Sequence, residues 1–250
     1  MKRLLLDIET APHLAAVWGM FNQNVSLDTL LSSGYTLCWA AKWYGSDEVI
    51  YDSLHRNKHR VMMSNLHDLL CEADVVIHYN GRKFDIPTIN KEFVGLGLKP
   101  PVPYKQVDLL ETARRQFRFA SNKLDYVAQY LGIGQKIKHK GFELWKGCMD
   151  NDKSSWEQMM EYNIQDVVLL EELYNRMLPW IRSHPNHGLY ADVSEQPVCP
   201  SCGSRHVQRR GTARTGVGLY QRYQCKDCGT WSRSRIMDKT DRTNLIIRET

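Results

Sequence analysis

Two sets of residues in this 250-residue chain have the types and spacings that chemistry requires. The first is a set of carboxylates with one tyrosine. In Leu4-Leu5-Leu6-Asp7-Ile8-Glu9-Thr10, Asp7 and Glu9 stand two apart at the end of an apolar run, so on a strand both point to one face. Paired carboxylates at a buried edge repel each other and lose hydration unless a cation neutralises them; if the strand has ended there, both simply face water. In His78-Tyr79-Asn80-Gly81-Arg82-Lys83-Phe84-Asp85-Ile86-Pro87, a strand runs into a turn and Asp85 stands where a helix opens. Asp is also a favoured helix N-cap and Pro is tolerated in the first turn, so capping is the alternative role. Tyr162 and Asp166 are four apart on a helical stretch and share a face with Leu169 and Leu170, unless Asp166 is merely solvated beside a half-buried Tyr. Where any of these carboxylates meets a cation, oxygen ligands without Cys or His suit Mg²⁺ or Mn²⁺ better than Zn²⁺.

The second set is Cys199-Pro200-Ser201-Cys202-Gly203 and Cys225-Lys226-Asp227-Cys228-Gly229; Cys38, Cys71 and Cys148 are isolated. Each C-x-x-C brings two thiolates to one cation, and the glycine behind it permits a tight turn. Four thiolates suit one structural Zn²⁺, with rubredoxin-like iron as the other metal of this spacing; a disulfide framework is less expected without an export signal. The pattern resembles a zinc ribbon. Arg209, Arg210 and Arg222 lie between the pairs among Tyr220 and Tyr223, and Trp231 and Arg233 follow, a mixture suited to phosphate contact and base stacking. Solvated arginines or a docking surface for a protein partner are the alternatives. His206 reads as a surface residue.

These residues need elements to hold them. Residues 2–8 read as a buried strand, 36–44 and 48–52 as a strand pair about a turn at 45–47, 75–79 as a central strand and 107–110 as a last one. Helical spacing covers 58–71, 87–94, 122–131 and 156–177. The expected fold class is α/β, a mixed sheet flanked by helices over 1–182, then a linker (183–196), a zinc ribbon (197–235) and a C-terminal tail (236–250). Composition is that of a globular protein, 42% hydrophobic and 24% charged, which excludes collagen-like, disordered and disulfide-miniprotein classes. No apolar run approaches the roughly 20 residues of a membrane span, and Asp7 and Glu9 end the opening apolar run too early for a signal peptide. A soluble cytoplasmic protein is expected. The net charge of +5 lies wholly in residues 183–250, which points to a polyanion partner for the smaller part.

In order and spacing, Asp7-Ile8-Glu9-Thr10, Tyr79-Asn80-Gly81-x-x-Phe84-Asp85-Ile86-Pro87 and Tyr162-x-x-x-Asp166 resemble the DEDD superfamily of 3′–5′ exonucleases, within the ribonuclease H-like fold. The tyrosine variety, DEDDy, matches best, as in the proofreading domains of B-family DNA polymerases; Ser121-Asn122-Lys123-Leu124-Asp125 through Gly132 resembles the helix before their last motif. The resemblance implies a two-metal 3′–5′ exonuclease. Asp7 would bridge both ions, Glu9 and Asp166 would hold the ion on the nucleophile side, and Asp85 would hold the other. It further implies that Tyr162 orients the attacking water, and that Asn80 and Phe84 seat the terminal nucleotides. The implied partner is nucleic acid with a 3′ end, single-stranded DNA favoured. A ribonuclease, a structure-selective nuclease and a non-catalytic adaptor are the alternatives. The 250 residues leave no room for a polymerase domain, so proofreading within the same chain is not expected. The stretches 114–119 and 136–140 are basic and could hold strand phosphates or be solvated faces.

Overall fold

The computed structural model describes residues 1–191, 196–216 and 218–237. Linker residues 192–195 and all but the first two residues of the expected tail lie outside them. The chain divides into two compact units, Lys2–Tyr174 and the remainder from Asn175.

The first unit is built on β1 (Arg3–Thr10). After it come two short strands, β2 (Leu14–Ala15) and β3 (Leu30–Ser32), paired with each other. Then follow β4 (Thr36–Trp43), β5 (Val49–Ser53), helix α1 (His59–Glu72), β6 (Val75–His78), α2 (Asp85–Gly95), β7 (Lys105–Asp108), α3 (Leu109–Gln116), α4 (Leu124–Tyr130), α5 (Phe142–Met149) and α6 (Lys153–Met177). The sheet order is β5-β4-β1-β6-β7. β1 runs antiparallel to β4 and parallel to β6, and β6 runs parallel to β7, so the sheet is mixed and its central strands are covered on both faces.

That double burial explains the unbroken Leu4-Leu5-Leu6, each fully buried. Alternation sends Leu4, Leu6 and Ile8 into one core with Trp39 of β4, Met62 and Leu66 of α1, and Ile89 and Phe93 of α2. The opposite side of β1 carries Leu5, Asp7 and Glu9 and faces α6, whose Asn163 reaches Asp7 and whose Glu171 pairs with Lys42 of β4. A register shift between Glu9 and Thr10 ends regular pairing just beyond the second carboxylate.

The last expected strand ends earlier than its apolar pattern suggests. Leu109 and Leu110 begin α3, because the Asp108 side chain accepts from the Leu110 and Glu111 N–H groups at 3.0 and 3.4 Å and caps the helix. Helix α5 was not expected from the spacing.

In the second unit, β8 (Val207–Arg214), β9 (Leu219–Cys225) and β10 (Trp231–Arg233) form an antiparallel sheet in the order β10-β9-β8. The front of the segment read as linker is ordered against the cysteine knuckle: His187–Leu189 makes one 3₁₀ turn, capped by Asn186, and the His187 N–H bonds Pro200 O at 2.6 Å. Among the described residues, no helix is long and apolar enough to cross a membrane.

Candidate functional site

Three chain segments, far apart in sequence, deliver the carboxylates to one place. Asp7 and Glu9 project from the end of β1 and Asp166 from the middle of α6, and an oxygen of each lies within 4.8 Å of the others. Asp85 stands beside them at the start of α2. Its Oδ1 accepts from the Ile8 N–H at 3.2 Å, beyond the last β1–β6 pair, Leu5↔Ile77. Asp85 is therefore not the helix cap. Phe84 occupies that position without a capping bond, and the Asp85 carboxylate is turned to β1 instead.

The turn that aims Asp85 is tightly specified. Asn80 takes a left-handed φ of 69°, and a Cβ on Gly81 would meet the His78 ring at 2.4 Å, which glycine avoids. The Asp108 carboxylate accepts from the Asn80 and Arg82 N–H groups at 3.0 and 3.3 Å while capping α3, so one residue fixes both features. Its signal was present in the sequence as Asp108-x-x-Glu111, a helix-start pattern.

On α6, Asn163 is fully buried and donates from Nδ2 to Asp7 Oδ2 at 2.7 Å, holding that carboxylate in one orientation. Tyr162 is buried beside Asp166, and its ring packs edge-on against His139 and Trp145, with centroids 5.0 and 6.1 Å away. The residue whose role the spacing does not reveal is Lys136: within a stretch that could hold strand phosphates or be a solvated face, its Nζ bonds Asp166 Oδ2 at 2.5 Å and the Tyr162 hydroxyl at 2.8 Å. Nothing in the spacing of Lys136-Ile137-Lys138 marks which lysine turns inward.

The electrostatics follow from burial. Loss of water raises the Asp7 carboxyl well above the usual range, and Glu9, Asp85 and Asp166 raise it further. Burial pushes Glu9 up to about 8 against the opposing charge of Lys136, and pushes Asp85 up to about 7 despite the Ile8 N–H. Asp166 is raised for the same reason, with Lys136 opposing. For Lys136, burial works to lower the pKa, but Asp166, Tyr162 and Asp7 outweigh it and the ammonium is held protonated. One ammonium does not balance four acids. Asp166 Oδ1 is moreover buried without a hydrogen-bond partner, which fits a site that receives cations.

A groove of about 800 Å³ opens beside this cluster, lined among others by Asn80, Arg114, Asn122, Lys123, Lys136 and Tyr162. Of the residues expected to touch a strand, Asn80 lines it and Phe84 does not, although Phe84 is 46% exposed on the turn. Phe117 and Phe119 pack on each other at 5.2 Å, and Phe119 packs on Tyr130, so those rings are engaged within the protein.

In the second unit, one sulfur from each of Cys199, Cys202, Cys225 and Cys228 lies within 4.8 Å of the others. Cys199 Sγ is 3.6 Å from Cys228 Sγ and Cys202 Sγ is 3.6 Å from Cys225 Sγ. A tetrahedral ion with Zn–S bonds of 2.3 Å needs sulfurs about 3.8 Å apart, so the cluster is compatible with a zinc module. Gly203 and Gly229 take φ values of 84° and 78°, the left-handed turn expected behind each pair. Burial raises Cys199 to about 11; for Cys225 burial also works upward, but the Cys228 and Asp227 N–H groups prevail and lower it to about 7. The register separates the three arginines singled out in the sequence: Arg209 pairs with Tyr223 and so faces away from Arg222, and Arg210 sits at the bulge between Arg209 and Thr212. His206 is exposed, with Nδ1 3.2 Å from Asp227 Oδ1.

A family model described as the RNase_H superfamily matches residues 32–178, a span that includes Asp85, Tyr162 and Asp166. Among solved structures, the family B DNA polymerase from the hyperthermophilic archaeon Pyrobaculum calidifontis is similar with a TM-score of 0.53 and 21% identity over 71% of this chain. The match covers 24% of the polymerase, so the likeness concerns the fold of one part of that protein. No curated protein matches the sequence.

Proposed function

As the chain belongs to the RNase_H superfamily, we propose that it is a metal-dependent nuclease that hydrolyses phosphodiester bonds from a 3′ end, with single-stranded DNA as the favoured substrate. The observation that carries this reading is the convergence of Asp7, Glu9 and Asp166, with Asp85 beside them, at the edge of an open groove that also presents basic side chains.

Asp7, Glu9, Asp85 and Asp166 would hold two Mg²⁺ or Mn²⁺ ions. When bound, such a pair neutralises charge on the phosphate and lowers the pKa of an attacking water. The chain's own residues do the rest. Asn163 keeps Asp7 oriented, so the carboxylate needs no reorganisation. Burial raises the Tyr162 phenol, which therefore stays protonated at neutral pH and positions a water by hydrogen bonding rather than taking its proton. Lys136 holds that hydroxyl and Asp166 in register and adds positive charge where a phosphate would approach. Asn80 and Phe84 would seat the terminal nucleotides. The four cysteines would hold one Zn²⁺, and the ribbon, which carries the chain's surplus positive charge, would strengthen strand binding.

The test uses 5′-labelled single- and double-stranded DNA and RNA with Mg²⁺, Mn²⁺ or chelator, each with a 3′-blocked copy. Stepwise shortening from the 3′ end, absent on blocked strands and with chelator, is expected. Internal cuts on blocked strands would replace the exonuclease with an endonuclease, and no metal-dependent hydrolysis of any strand would remove the reading.

A further inference from the structure

One face of the ribbon sheet carries an arrangement that phosphate contact in general does not require. Trp231 and Arg233 lie two apart on β10, and Tyr220 and Arg222 two apart on β9, so all four side chains share a face. Arg233 pairs directly opposite Arg222. Like charges in that position destabilise a sheet, and among the described residues no carboxylate lies within ion-pair reach of either. The Arg233 guanidinium is held 4.0 Å above the Tyr220 ring, which fixes its plane in advance. Beside this pair the Trp231 indole is 55% exposed, and the side chains border a depression of about 400 Å³ lined by Ala213, Arg222, Trp231, Ser232 and Arg233. Between Pro197 and Met237, eight Lys or Arg stand against a single acid, Asp227, which is already engaged with His206.

We propose that this face is a binding site for single-stranded nucleic acid, taking one unpaired base on the Trp231 indole and its phosphate between Arg222 and Arg233. The anion relieves the repulsion of the cross-strand arginine pair, and the flat exposed ring supplies a stacking surface that tolerates any base. An acidic polypeptide would satisfy the arginines but leave the indole without a matching group. The proposal rests on the strand-binding role given to the ribbon above. It sharpens that role by placing the contact on the Arg222 face rather than the Arg209 face.

The test measures fluorescence anisotropy of labelled (dT)12 with the full-length chain carrying Asp7→Ala, without added Mg²⁺, so that binding is read apart from hydrolysis. Zinc content and far-UV circular dichroism confirm that each variant is folded. Trp231→Ala should weaken binding about ten-fold or more, and Trp231→Phe should recover most of the loss. Arg222→Gln and Arg233→Gln should each lower the salt slope by about one, whereas Arg209→Gln should change affinity less than either. Unchanged affinity in Trp231→Ala would overturn the site while leaving the nuclease reading intact, as would an Arg209→Gln loss equal to that of Arg222→Gln. A labelled twelve-residue poly-glutamate that binds as tightly as (dT)12, with the same dependence on Trp231, would reassign the face to an acidic protein. Absence of any strand binding by the full-length chain with its ribbon unsubstituted would remove the proposal and its parent role together.

Discussion

The carboxylate cluster and the cysteine cluster each gather four acidic side chains, yet the protein around them differs. The carboxylates are pinned by elements that bury a large apolar core on their own account: β1 contributes Leu4, Leu6 and Ile8, and α2 contributes Ile86, Ile89 and Phe93. Asn163 and Lys136 hold the acids in position before any ion arrives. The ribbon has no such support. Among its described residues from 196 onward, only Cys199, Ser201, Cys225 and Thr230 are buried. In one region a core imposes unfavourable charge proximity; in the other, a bound metal would have to serve as the core.

The sharpest way to break this contrast is to remove a carboxylate. Asp7→Ala or Asp166→Ala should reduce hydrolysis by at least a hundred-fold, roughly the scale of losing one electrostatic stabiliser of the transition state. The melting temperature of Asp7→Ala should stay the same or rise, because a desolvated like charge has gone, whereas Asp166→Ala also takes the partner from the Lys136 ammonium and should lower it. Activity near that of the unsubstituted chain, at a purity that excludes contaminating nuclease, would dissolve the site.

Chelation should separate the regions next. Amide hydrogen exchange in a strong zinc chelator should show β8, β9 and β10 losing protection while β1 and β4 keep theirs. Equal protection with and without metal would mean that the ribbon folds without its ion and that the contrast is wrong.

A smaller effect is expected at Tyr162. Tyr162→Phe keeps the ring packed against His139 and Trp145 and loses only the hydroxyl, so single-turnover rates should fall about ten- to a hundred-fold, less than for Asp166→Ala. An unchanged rate would make Tyr162 a packing residue.

The smallest effect is on stability. The folded-state values of Asp7, Glu9, Asp85 and Asp166 are all raised, so without metal the folded protein holds extra protons. Their contribution is most favourable below the unfolded values near 4. It is lost as pH rises through about 7 for Asp85 and about 8 for Glu9. Divalent ions bind the deprotonated acids, so the rise in melting temperature caused by Mn²⁺ should grow from pH 6 to pH 8.5. A shift independent of pH would show that the acids are already ionised in the metal-free protein.

The local elements and most of the candidate chemistry were legible in the sequence because they rest on short-range pattern. The triple leucine of β1, the alternation that puts Asp7 with Glu9, the four-residue step from Tyr162 to Asp166 and the glycine behind each C-x-x-C all lie within one strand, one helical turn or one knuckle. Partner choice across the chain was not legible. Asp108 could be placed at a strand end, but its bonds to the turn that aims Asp85 require β6 and β7 to lie side by side. Asn163 reads as an ordinary helix amide until α6 is laid across β1.

What the sequence by itself determined is therefore the inventory: which acids, which tyrosine, which thiols, and the periodicity of the elements that carry them. Tertiary structure alone decided which groups meet. It turned Lys136 rather than its neighbours onto Asp166, freed Asp85 from capping, and placed Arg222 with Arg233 on one face while sending Arg209 to the other. The physical reason is that a side chain's intrinsic preferences are set by its own few bonds. Its charge state and partners depend on what the folded chain buries around it.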